Sequence, residues 1–210
     1  VNCQPQGVSL GEAGSPQVEG RVLFSGPLTE SIWPHYAPTV WQAHLVAHWD
    51  VKDLSGVNAT AMPGTRDSLT TYAIEMGGKY KFGRVQLAVN GWYGQNTGSL
   101  LGNIFQIQTP DKPDVRGFGV WSQLGVMLPL GLSAWGFAGI DRPNRDMALA
   151  AQLARLQNIQ LALMVAYVNG PLTATLEWMH IRTVTPAPGM PMATVTNYAN
   201  QPSFTIAYAF

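Results

Sequence analysis

Apolar and polar residues alternate with period 2 in nine stretches of this chain, the repeat of a β-strand with one apolar face. The pattern predicts strands over 18–24, 39–51, 71–82, 85–93, 118–128, 132–140, 158–167, 172–179 and 202–210. In 39–51, Trp41, Ala43, Leu45, Ala47, Trp49 and Val51 share a face. Gln42, His44, His48 and Asp50 share the other with Val40 and Val46. In 71–82 the apolar face runs Tyr72, Ile74, Met76, Gly78, Tyr80 and Phe82, opposite Glu75, Lys79 and Lys81. In the last stretch Phe204, Ile206, Tyr208 and Phe210 alternate with small or polar residues up to the final position. Both faces of 132–140 carry apolar residues, so its facing is open. Residues 1–17 read as loop, and 141–155 as a loop with a short helix, because Met147, Leu149, Ala150, Leu153 and Ala154 fit a helical stripe.

The connections alternate in length. Turn signals at Gly83, at Pro129-Leu130-Gly131 and at Asn169-Gly170-Pro171 close short reversals. Longer polar stretches at 52–68, 94–114, 141–155 and 183–201 read as loops on the opposite side. Apolar faces end in aromatic residues: Trp41, Trp49, Tyr72, Tyr80, Phe82, Tyr93, Tyr167, Trp178, Tyr208 and Phe210. An aromatic ring with a polar handle suits a membrane–water interface. Short turns on one side, long loops on the other and aromatic-ended apolar faces are together the pattern of an antiparallel transmembrane β-barrel.

Composition strengthens that expectation. Only 11% of the 210 residues are charged, against about 25% in ordinary soluble domains. No apolar run reaches the roughly 18 residues of a membrane helix. The formal net charge is zero, which gives no electrostatic footprint for nucleic acid. Cys3 is the sole cysteine, so no internal disulfide is available. Nine strands are odd, whereas bacterial single-chain barrels have an even number. Either a further strand lies in 1–17 or the chain is part of a larger barrel; the poor alternation of 1–17 favours the second, so the expectation is one β-barrel domain over 1–210 that forms the C-terminal part of a barrel of roughly 16 strands.

A pore needs polar side chains on its inward face and no covalent chemistry. The candidates are Gln42, His44, His48, Asp50, Glu75, Lys79, Lys81, Arg84, Gln86, Asn90, Arg116, Gln123, Asn158, Gln160, Glu177 and Arg182. Five cations against three anions in that set point to a lumen that favours anions. The competing reading of each charge is a pair across neighbouring strands. His44 and His48 lie about 13 Å apart along a strand at about 3.3 Å per residue, too far to share a metal ion. No metal or other cofactor is expected. Ser122 and His180 are the strand-borne residues of hydrolytic type, and neither a Gly-x-Ser-x-Gly nor a phosphate-loop motif accompanies them. Two other classes compete with the pore: a small closed or enzymatic barrel, and a soluble β-sandwich binding module.

The terminal aromatic strand resembles the C-terminal signal of bacterial outer-membrane barrels. Further stretches extend the likeness: Pro16-Gln17-Val18-Glu19-Gly20-Arg21-Val22, Gly91-Trp92-Tyr93-Gly94-Gln95-Asn96, Gly102-Asn103-Ile104-Phe105-Gln106 and Gly139-Ile140-Asp141-Arg142-Pro143. With these the chain resembles outer-membrane porins, most closely the DcaP-like porins. The motifs are diffuse, and such porins are longer than this chain. The resemblance implies a homotrimeric passive diffusion channel in the bacterial outer membrane, surrounded by outer-membrane lipids. It also implies small hydrophilic solutes, organic anions such as dicarboxylates in that subfamily, and recognition of the last strand by the barrel-assembly machinery.

Overall fold

The computed structural model describes residues 12–13, 18–27, 40–53, 68–97, 113–188 and 190–209. Ten strands form one antiparallel sheet. They are β1 (Glu12–Ala13), β2 (Val18–Pro27), β3 (Val40–Asp53), β4 (Ser68–Phe82), β5 (Val85–Gln95), β6 (Arg116–Met127), β7 (Leu132–Pro143), β8 (Gln157–Asn169), β9 (Leu172–Ala187) and β10 (Met190–Tyr208). From β2 to β10 each strand pairs with the next in sequence, so the fold is all-β and a meander. The nine long strands coincide with the nine expected ones. Within 1–17, expected to be loop, β1 pairs with the far end of β3 and prolongs the line of β2.

Turn chemistry sets the short connections. Gly83, Gly131 and Gly170 all have positive φ, at 54°, 75° and 55°, a backbone region open to glycine without a Cβ penalty. Leu130 shares the middle turn at φ 60°, unusual for a branched aliphatic residue. The last long connection differs from expectation. Residues 183–201 are not a loop: β9 runs on to Ala187, and β10 starts at Met190 with a bulge before Thr194. The Thr- and Asn-rich sequence there lacks apolar alternation, but threonine suits an extended ladder.

The pleat divides the side chains into two faces, and the apolar one is solvent-accessible. Leu45, Ile74, Met76, Leu87, Val120, Leu163, Leu176 and Phe204 all lie on it, and Leu163 is 61% exposed. No second sheet covers this face among the described residues. The opposite face, named inward after the expected barrel, holds the polar residues. For β7, whose facing the sequence leaves open, the register with β6 and β8 turns Ser133, Trp135, Phe137, Gly139 and Asp141 inward.

A small buried apolar cluster sits at the long-loop end, away from the sheet faces. Val115, Ala148, Ala151, Leu153 and Leu156 form it, with Met147, Leu149 and Val184 packed alongside. The expected short helix supplies part of it: α1 (Arg145–Ala150) is capped by Asn144, whose side chain accepts from the Met147 amide at 3.1 Å.

Candidate functional site

The inward face can be read strand by strand from the ladder register. β3 presents Gln42, His44, Val46, His48 and Asp50, and β4 presents Thr71, Glu75, Lys79 and Lys81 opposite them. β2 adds Glu19 and Arg21, which the sequence reading left out of the lining set. These charges pair across strands. His44 Nε2 lies 3.3 Å from Glu75 Oε1, and His48 Nδ1 lies 3.5 Å from Glu19 Oε2. The two histidines thus point inward to separate carboxylates. No group of three potential metal ligands occurs among the described residues.

The wall of β5–β9 has a different character. Gln86 and Asn90 on β5 face inward with Trp92. Trp121 and Gln123 follow on β6, then Trp135, Phe137 and Asp141 on β7. Asn158 and Gln160 on β8, and Glu177 on β9, complete it. Trp121 and Phe137 stack at a centroid distance of 6.0 Å.

Glycines make room for these rings. A Cβ on Gly119 would collide with the Trp92 indole, and one on Gly125 with the Trp135 indole. Trp135 Nε1 donates to Ser133 Oγ at 2.9 Å, which holds that ring in place. The rings therefore lie over neighbouring backbone and leave space in front of them. One recess of about 280 Å³ is lined by Trp92, Trp121, Phe137, Asp141, Asn158 and Gln160. A second, of about 260 Å³, is lined by Gln123, Trp135, Phe137, Gln160, Met164 and Glu177. The two share Phe137 and Gln160.

Three residues expected in the lining are elsewhere. Arg84 occupies the exposed two-residue turn between Phe82 and Val85, because β4 and β5 close directly across it. Arg116 pairs with Gln95, two residues along from the outward Tyr93–Phe118 pair and so on the same face. Arg182 pairs with Ile159 and Tyr198, on the face of Leu161 and Trp178. Both sit outward at the long-loop ends of their strands and bond to outward glutamines there. Arg116 Nε donates to Gln95 Oε1 at 3.2 Å, and Arg182 Nη1 to Gln157 Oε1 at 3.4 Å. The other thirteen candidates face inward.

This changes the electrostatics. Among the residues whose side chains are described, the inward cations are Arg21, Lys79 and Lys81, and the inward anions are Glu19, Asp50, Glu75, Asp141 and Glu177. The cationic excess expected from the sequence is reversed. The inward positions of β5–β9 carry no Lys or Arg. Strand parity finds Trp92 from Gln86 and Trp121 from Gln123 in the sequence; Trp135, Phe137 and Asp141, all on β7, needed the ladder.

Trp41, Trp49, Tyr72, Tyr80, Tyr93, Tyr167, Trp178 and Tyr208 all lie on the outward face. Phe210 and the side chain of Phe82 lie outside the described residues, as does most of the 94–114 loop. Tyr80, Tyr167 and Tyr208 are near the short turns, whereas Trp49, Tyr72, Tyr93 and Tyr198 are toward the long-loop ends. Ser122 and His180 both face outward on β6 and β9, with β7 and β8 between them. His180 instead stacks on Trp178 at 5.9 Å, and its Nδ1 donates to Asn200 Oδ1 at 2.9 Å.

At the base of the long β5–β6 connection, Asn96 in left-handed backbone (φ 55°) ties three strands. Its Nδ2 donates to the Thr70 carbonyl at 2.9 Å and to Asp114 Oδ1 at 2.7 Å, and its Oδ1 accepts from the Val115 amide at 3.0 Å.

Comparison of the chain with protein-family models, curated proteins and solved structures finds no match.

Proposed function

We propose that the chain forms wall of an outer-membrane porin, a passive diffusion channel for small hydrophilic solutes in a bacterial outer membrane. The carrying observation is the accessible apolar face of nine sequential antiparallel strands, opposite a polar face. In water such a face is a liability far larger than the few hundred Å² that soluble monomers tolerate. In a bilayer it is the lipid contact. Aromatic residues near both ends of that face fit the two interfaces. Arg116, past the Tyr93–Phe118 pair, and Arg142 and Arg182, paired with Phe118 and Tyr198, are outward at the loop-side aromatics and fit a headgroup layer that carries phosphates.

In hydrocarbon an unpaired strand edge costs several kcal/mol per backbone group. β2 and β10 each pair on one side only among the described residues, so the reading requires these edges to be closed by further strands. Homotrimer assembly and docking of the β10 signal on the assembly machinery belong to the same reading. The resemblance to DcaP-like porins suggests organic anions, but the inward charges favour cations.

The test is conductance of the purified, detergent-extracted protein in planar bilayers under a KCl gradient. Stepwise conductance with a cation-selective reversal potential is expected, and Lys79→Glu increases that selectivity. A protein that extracts without detergent, or a folded one that inserts without conducting, overturns the porin reading. Anion selectivity overturns the charge assignment alone.

A further inference from the structure

The inward wall of β5–β9 combines three properties that the β2–β4 wall lacks. It has aromatic faces: Trp92, Trp121, Trp135 and Phe137. It has one carboxylate in each of the two adjoining recesses, Asp141 in one and Glu177 in the other. It has no Lys or Arg at any inward position. The β2–β4 wall, by contrast, mixes Arg21, Lys79 and Lys81 with its carboxylates and pairs its histidines to them.

We propose that the two recesses are a binding track for small organic ammonium ions. This rests on the inward face being open to water, as the porin reading has it. The chemistry follows from the ring quadrupole. A cation within about 6 Å of a ring centroid is attracted to its negative face, and the attraction grows as water is excluded. Gly119 and Gly125 leave room for the Trp92 and Trp135 indoles; Trp135 is itself buried, so the accessible rings of the track are those of Trp92, Trp121 and Phe137. Glu177 supplies the opposite charge at the second recess, and Asp141, whose carboxylate oxygens are buried, adds its field to the first. The amides of Gln123, Asn158 and Gln160 can accept N–H or O–H donors from the ligand. Phe137 and Gln160 belong to both recesses, so a ligand passes from one to the other without leaving the same ring and amide. Carboxylate or phosphate solutes meet no inward cation on this wall.

Choline and its uncharged isostere 3,3-dimethylbutan-1-ol separate this chemistry from shape alone. Each is titrated into the full chain in detergent micelles and followed by saturation-transfer difference NMR, with protein-free micelles subtracted. Choline is expected to bind saturably and at least about tenfold more tightly than the isostere. Glu177→Gln, which keeps the shape, weakens choline about fivefold or more, and Trp121→Ala does the same, each figure corresponding to about one cation–π or charge contact. Heat-modifiable gel mobility checks that each variant is folded, and Glu177→Gln carries the test where Trp121→Ala does not fold. Equal affinity for the two ligands overturns the proposal, as does choline binding unaffected by Glu177→Gln or saturable binding of maltose in place of choline. Bilayer conductance is measured separately. Saturable choline binding without conductance supports the track while the pore reading fails, and conductance without choline preference has the reverse meaning.

Discussion

Leu163→Arg is the sharpest perturbation of the outward face. Leu163 stands at the middle of β8, six residues from Gln157 and six from Asn169. At about 3.3 Å per residue and a tilt of about 40°, that is roughly 15 Å from the short-turn end. An apolar band about 25 Å tall therefore has its midplane within a few ångströms of this side chain. An arginine at the midplane of a barrel costs about 2–4 kcal/mol, or about 30- to 700-fold in the folding equilibrium at about 1.4 kcal/mol per tenfold. Leu172 lies on the same face, beside the Gly170 turn and paired with Asn169. Leu172→Arg reaches the interface and costs about 0–1 kcal/mol. If the face met water instead, both substitutions would fall within about 0.5 kcal/mol of wild type. The assay is equilibrium guanidinium unfolding from lipid vesicles, followed by tryptophan emission and by heat-modifiable gel mobility. A difference between the two variants of less than about 0.5 kcal/mol refutes the lipid contact.

Two further outcomes follow from local geometry. Asn96→Ala removes three hydrogen bonds that join β4, the loop base and the start of β6; it is expected to destabilise by about 1–3 kcal/mol per buried group left unsatisfied, read as a lower guanidinium midpoint with an unchanged slope. Leu130→Gly relieves a left-handed leucine that is 87% exposed and so has little packing to lose; a gain of up to about 1 kcal/mol in the same titration is expected, and a loss refutes the strain.

Alternation was legible wherever one face is apolar and the other polar, as in β3, β4 and β8. It fixed strand existence, the short turns and the facing of the aromatic girdle. It failed in two physical situations. On β7 apolar residues occupy both faces, because the inward ones are rings, Trp135 over Gly125 of β6 and Phe137 stacked on Trp121 beside Gly139, so period 2 carries no contrast. Pairing resolves it, since a one-residue change of register would exchange the two faces of the whole strand. At the long-loop ends of β6 and β9 the polar-means-inward rule breaks down. Strand length is the cause: β9 has 16 residues and β10 has 19, whereas about 9–11 cross a bilayer core. The extra residues stand beyond the apolar band, where an outward arginine costs nothing in desolvation. Following parity instead of polarity from Trp178 puts Arg182 outward in the sequence itself. The same count through Phe118 puts Arg116 outward. Those two residues, with Arg84 in its turn, made up the whole apparent cationic excess. The charge balance of the inward face thus depends on how far each strand runs past its apolar stretch, a length that alternation alone does not encode and that the β-ladder shows.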